Sequence, residues 1–109
     1  MELTGKQKRH LRGLGHALSP VVMLGREGLS GAVTTKTDVE LENHELVKVK
    51  LGDGCLEEPD EVAAALAQRC NAAVAQVIGH TVLLYRRRSK DPTIKLPRAT
   101  PARGTTQAD

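Results

Sequence analysis

Gly25-Arg26-Glu27-Gly28 is the stretch of this chain best equipped for chemistry with an anion. It follows a short apolar run, Val21 to Leu24, and precedes a segment with helical spacing. Glycines carry no Cβ, so their main chain can come close to a ligand. The start of a helix offers free N–H groups and a partial positive charge, which suits phosphate. Arg26 adds a full charge with fork geometry, and Glu27 adds a negative one. The plainer reading is a tight strand-to-helix turn that needs glycine for its dihedrals, and spacing alone slightly favours it. No GK[ST] follows, so this is not a nucleotide P-loop, and the G-x-G opening of a dinucleotide fingerprint is missing.

Two basic runs accompany this loop. Lys6, Lys8, Arg9 and Arg12 share a helix face, and Arg86-Arg87-Arg88 with Lys90 follows the last apolar stretch. Lys48 and Lys50 alternate with valines and leucine. Each run alone reads as a solvated face. Two runs and a GxxG in one small domain shift the balance toward a phosphate backbone. Tyr85 is the only aromatic residue, which argues against base-stacking platforms. Contacts are therefore expected mainly to phosphate and sugar, reading shape more than sequence.

Other chemistry finds little support. His10, His16, His44 and His80 form no HExxH and no zinc-finger spacing with cysteine. They read as surface or capping histidines. Cys70 falls on an apolar stripe and reads as a buried thiol, whereas Cys55 sits in a loop. No serine stands in a GxSxG elbow. Glu57, Glu58, Asp60 and Glu61 look like charge at a helix start, not a catalytic pair. No enzyme activity, metal or cofactor is expected.

The elements that must position these residues can be read from periodicity. Thr4 to Ala17 predicts a helix opened by the capping box Thr4-x-x-Gln7, with Leu11, Leu14 and Leu18 toward the core. Gly5, Gly13 and Gly15 weaken it, so it needs tertiary support. Ser19-Pro20 ends it, and Val21 to Leu24 suits a buried strand. A second helix runs from Ser30, a suitable cap, to Asn43. Its stripe of Leu29, Val33, Thr37 and Leu41 is weak at Thr37. Leu46 to Leu51 alternates as a strand with Val47, Val49 and Leu51 inward and a wet face of Lys48 and Lys50. Asp53-Gly54 marks a loop. Pro59 opens a third helix carrying Val62, Leu66 and Cys70. Strands Ala73 to Ile78 and Thr81 to Arg86 meet at Gly79-His80. Ser89 to Asp109 has no apolar period and reads as a mostly disordered basic tail. The order α-β-α-β-α-β-β implies an α/β fold, a mixed sheet with at least one parallel pair and an antiparallel final hairpin.

The whole chain sets further bounds. Its 109 residues make one domain with an aliphatic core. The longest apolar run, Val62 to Ala67, is far short of the roughly 18 residues of a membrane span. The first residues lack the apolar stretch of a secretory signal. Two cysteines without CxxC fit a reducing, cytoplasmic setting. Residues 1–28 carry net +3, residues 29–85 net −5 and residues 86–109 net +5. Such asymmetry suggests that one surface faces a polyanion.

Taken in order, Leu3 to Arg12, Pro20 to Leu29, His44 to Lys50, Gln76 to Gly79, Leu84 to Arg86 and Ile94 to Arg98 resemble the CRM domain family, of the YhbY type in bacteria. The resemblance covers residues 1–98 as one domain and leaves 99–109 as a disordered tail. It implies a four-stranded mixed sheet packed with helices, similar to the C-terminal domain of translation initiation factor three. It also implies RNA binding through the loop Gly25 to Gly28; Glu27 departs from the family's pattern by placing a negative charge there, and is expected to point away from RNA. The function expected on this basis is non-catalytic binding of RNA. The expected target is ribosomal RNA of large-subunit precursors during ribosome assembly, met by a monomer with no membrane role. Gly25 and Gly28 are the candidates for close backbone approach and Arg26 for a phosphate; Lys6, Lys8, Arg9 and Arg12 extend the basic surface, with Lys48, Lys50, Arg86, Arg87 and Arg88 secondary. Gly28→Asp is expected to weaken RNA binding while the fold survives. The alternative is a protein–protein adaptor acting on ribosomal or assembly proteins.

Overall fold

A computed structural model describes residues 2–98. Its elements are α1 (Gly5–Gly15), β1 (Val22–Leu24), α2 (Gly31–His44), β2 (Leu46–Leu51), α3 (Pro59–Cys70), β3 (Ala73–Ile78) and β4 (Thr81–Tyr85). The four strands form one sheet in the order β1-β2-β4-β3. β1 and β2 are parallel, with Val22 opposite Val49. The β2–β4 and β4–β3 pairs are antiparallel. The expected four-stranded mixed sheet in an α/β fold is therefore present, and α2 makes the crossover that a parallel pair demands.

The strand period of two divides the sheet into two apolar faces. Val22, Leu24, Val47, Val49, Leu51, Val82 and Leu84 face α2 and α3, where Leu41, Val62, Leu66 and Cys70 close the larger core. Leu46, Ala75, Leu83 and Tyr85 face the other way, under Leu11 of α1. The layers are thus α1, sheet, and α2 with α3.

Helix starts follow the sequence closely. The Thr4 hydroxyl accepts from the Gln7 N–H at 3.1 Å, and the Gln7 side-chain oxygen accepts from the Thr4 N–H at 3.0 Å. Ser30 Oγ accepts from the Val33 N–H at 3.2 Å. Thr37, the weak point of the α2 stripe, is fully buried and donates to the Val33 carbonyl at 2.8 Å. A buried hydroxyl with its partner on the preceding turn costs the helix little.

Three expectations need correction. Leu14 and Leu18 do not face the core; they are 42% and 37% exposed. α1 ends at Gly15, so the periodicity does not reach Leu18, and the helix meets the sheet through Leu11 and Gly15. A Cβ on Gly15 would lie 2.8 Å from Leu83 Cδ2. The close approach needs glycine where the leucine pattern suggested none. β1 is not buried on both sides, because Met23 is 61% exposed. It is an edge strand, and α1 lies chiefly over β3, β2 and β4.

The third correction concerns the segment after β4. Ser89 to Arg98 is not a loose tail; it is a strap that folds back to α1. Ile94 and Leu96 pack against the Leu11–Tyr85 cluster, and Gln7 Nε2 donates to the Pro97 carbonyl at 2.9 Å. One carboxylate fastens it. Glu45, completely buried at the turn from α2 to β2, accepts from the N–H groups of Arg88, Thr93 and Ile94 and from the Thr93 hydroxyl, at 2.7–2.9 Å. The tail expected at 99–109 lies outside the described residues.

Candidate nucleic-acid interface

Most cations of the described residues sort by layer, Lys36 of α2 and Arg69 of α3 being exceptions. On the α1 side stand Lys6, Lys8, Arg9 and Arg12 of α1, and Lys48 and Lys50 of β2 on the same face as Leu46. Among the described residues none of these pairs with a carboxylate. The opposite layer carries Asp38, Glu40 and Glu42 on α2 and Asp60 and Glu61 on α3. The sheet thus separates a basic surface from an acidic one, and the alternating charge along the chain becomes a two-sided molecule.

Strand parity also splits the arginine triplet. Arg86 leaves β4 toward α2. Its guanidinium, largely buried, donates to Asp38 Oδ1 at 2.6 Å, the Cys70 carbonyl at 2.8 Å and the Asp38 carbonyl at 3.1 Å, and meets Glu42 at 3.4 Å. Arg88 donates to the carbonyls of Asn43, Lys90 and Asp91 at 2.8–2.9 Å, holding the end of α2 and the root of the strap. Arg87 is exposed and lies with Lys95 beside Tyr85, Ile94 and Leu96, on the α1 side. One of the three arginines therefore joins the basic surface, and two tie elements together.

The loop Gly25 to Gly28 is a turn in which the Gly28 N–H donates to the Gly25 carbonyl at 2.9 Å. Gly28 has φ +65°, and a Cβ there would collide with the Glu57 carboxylate. Gly28 thus has a conformational reason of its own, as the plainer reading held. This undercuts the expectation that Gly28→Asp spares the fold: aspartate would meet backbone strain at φ +65° and the charge of Glu57 together. Glu57 Oε1 also accepts from the Leu29 N–H at 2.6 Å. With Ser30 capping Val33, one donor at the start of α2 and the Leu29 N–H just before it are already occupied by side chains. Gly25 differs: its φ is not positive, and a Cβ there would meet nothing within 4 Å. Arg26 and Glu27 are exposed at the tip.

Between the end of α1 and the open part of the sheet lies a groove of about 410 Å³ lined by Arg12, His16, Lys48, Lys50, Ile78 and Leu83, among others. A second groove, about 430 Å³ and more apolar, runs between Leu14, Leu18, Val21 and Ile94, with His44 and Lys48 at its rim. The sequence had no signal for either, since each is assembled from α1, the sheet and loops far apart in the chain. The remaining reactive groups are quiet. All four histidines are exposed, with His44 near Glu40 at 3.3 Å. Burial pushes the Cys70 thiol pKa up, which keeps it protonated and inert. No cluster of potential metal ligands occurs among the described residues, and no helix there is long and apolar enough to cross a membrane.

Comparisons with known proteins agree with this architecture. A Haemophilus influenzae RNA-binding protein is 43% identical over 96 residues, covering 88% of this chain and 96% of its own. The probable RNA-binding protein YqeI of Bacillus subtilis is 37% identical over 95 residues, covering 87% and 99%. A Staphylococcus aureus protein known from its solution structure superposes with a TM-score of 0.76 at 35% identity, over 88% of this chain and all of that one. The CRS1 / YhbY (CRM) domain matches residues 3–86, which hold every element from α1 to β4, and the chain accordingly belongs to the CRM domain family.

Proposed function

We propose that this protein binds RNA without catalysis, through the basic α1 side of the sheet, and that its target is ribosomal RNA in large-subunit precursors. The observation that carries the reading is the concentration, on one side of the sheet, of cations that have no carboxylate partner among the described residues. On the other side the carboxylates of α2 collect Arg86. A phosphate backbone is the polyanion such a surface fits, and release of its counterions drives the association. Arg26, with Gly25 leaving space beside it, extends the surface at the loop, and Glu27 turns to solvent. Lys6, Lys8, Arg9, Arg12, Lys48, Lys50 and Arg87 supply phosphate contacts, whereas Arg86 and Arg88 act through the fold. The RNA-binding relatives and the family membership support the polymer; the assembly role follows from the resemblance, and a cytoplasmic setting from two cysteines without CxxC.

Ultraviolet crosslinking of the tagged protein in cells, followed by sequencing of the attached RNA, tests this. Reads concentrated in large-subunit ribosomal RNA are expected. A folded, expressed protein with no RNA above background would favour the adaptor reading. That second reading has its own observation in the apolar groove of Leu14, Leu18 and Val21. Capture of ribosomal or assembly proteins that survives ribonuclease is its signature.

A further inference from the structure

We infer that the groove beside the end of α1 seats an unpaired nucleotide, so that the RNA recognised carries a loop, bulge or single strand next to any helical part. The inference rests on the RNA-binding reading and names the class of RNA. Its basis is the length of α1. The helix stops at Gly15, over Leu83, and leaves one full row of the sheet bare. Met23 is opposite Lys50, Lys50 opposite Thr81, and Thr81 opposite Ile78. Met23 and Ile78 are 61% and 62% exposed. The groove therefore has an aliphatic floor in Ile78, and its wall is the Gly15 main chain, which covers Leu83 and leaves it only 3% exposed. Arg12, Lys48 and Lys50 stand around this floor, and no carboxylate lines it.

A nucleotide base has apolar faces, polar edges and a phosphate on either side, and this groove presents the complement of each. The aliphatic floor takes the face. The Gln76 amide and Thr81 hydroxyl, both lining the groove, can meet an edge. The three cations take the flanking phosphates. A continuous duplex keeps its bases stacked inside and offers only its backbone, so the floor gains nothing from it. The volume lies within the roughly 300–1,000 Å³ of clefts that hold small ligands. The near absence of aromatic residues, which argued for backbone reading, argues against stacking platforms but not against this aliphatic seat.

Fluorescence anisotropy with the full chain decides the matter, using two labelled probes at one ionic strength. One is an RNA hairpin with an unpaired uridine-rich loop, and the other is the same stem as a blunt duplex. The hairpin is expected to bind about fivefold more tightly, the lower end of what a base stacked on an aromatic ring contributes, because this seat is aliphatic. The double variant Gln76→Ala, Ile78→Ser is expected to lose that preference while its duplex affinity and thermal unfolding stay at the wild-type values. Thiouridine in the loop, irradiated on the wild-type protein, is expected to crosslink to the peptides of β3, β4 and the end of α1. Equal wild-type affinity for both probes overturns the inference while leaving RNA binding intact, and so do crosslinks confined to residues 25–28. If neither probe binds, the inference and the RNA-binding reading fall together.

Discussion

At the scale of single residues, the two glycines of the loop have different work. Gly28 needs φ +65° and the space that Glu57 leaves it. A non-glycine residue in that region costs about 1–3 kcal/mol, and aspartate adds repulsion from Glu57. Gly28→Asp is accordingly expected to lose about 2 kcal/mol or more in chemical denaturation. Gly25→Ala should stay within about 0.5 kcal/mol of wild type, because its Cβ meets open space. If the Gly25 main chain approaches phosphate, the added methyl group lowers RNA affinity several-fold in a protein that is otherwise intact. A Gly25→Ala protein with unchanged affinity would remove the loop from the interface. This pair separates the turn reading from the ligand reading, which the spacing G-x-x-G alone could not do.

Among elements, the strap is the feature whose stability depends most on one side chain. Burial would by itself raise the Glu45 pKa. The N–H groups of Arg88, Ile94 and Thr93 and the Thr93 hydroxyl outweigh it and hold the carboxyl at about 2, against an ordinary 4.5. A depressed pKa means that the charged form stabilises the fold. That contribution is fully present above about pH 4.5 and is lost as pH falls toward about 2. Glu45→Gln should therefore cost roughly 2–3 kcal/mol at neutral pH, and its gap from wild type should close as melts are repeated through that acid window. A gap that stays constant with pH would show that packing of Ile94 and Leu96, not the carboxylate, fastens the strap. The strap also explains why Gln7 is bifunctional. Its oxygen closes the α1 capping box while its nitrogen holds Pro97, so the start of α1 and the strap are tied at one side chain.

For the whole molecule, the two charged layers predict a dissociation between stability and binding. Arg86→Ala removes a guanidinium shared by Asp38, Glu42 and the Cys70 carbonyl, so it should destabilise the fold by about 2–3 kcal/mol. Wherever that variant remains folded, the salt dependence of its RNA binding should match wild type. Lys48→Ala with Lys50→Ala should do the reverse. Stability should hardly move, while the log–log salt slope falls by about one unit for each phosphate that is no longer neutralised. A salt titration alongside a denaturation curve for each variant checks both halves. An unchanged slope in the lysine variant would take β2 out of the RNA surface.

What the sequence determined by itself was everything carried by local pattern. Helix starts at Thr4 and Ser30, the alternation of Val47, Val49 and Leu51, the hairpin at Gly79-His80 and the order of elements are all encoded within a few residues of one another. Hydrogen-bonded caps and side-chain periods act over that range. The candidate cations were legible too, but only as residue types. Which side of the sheet each one reaches was decided by tertiary structure. Arg86 and Arg87 are neighbours in sequence, yet one is spent on Asp38 and the other stays exposed on the basic face. Where α1 would stop, which of its residues would touch the sheet, and whether Ser89 to Arg98 would be held could not be read locally either. Those outcomes depend on Gly15 meeting Leu83 and on a single buried carboxylate gathering main-chain donors 43–49 residues away. Interactions at such separation leave no period in the sequence, because each requires only one suitable residue at each end.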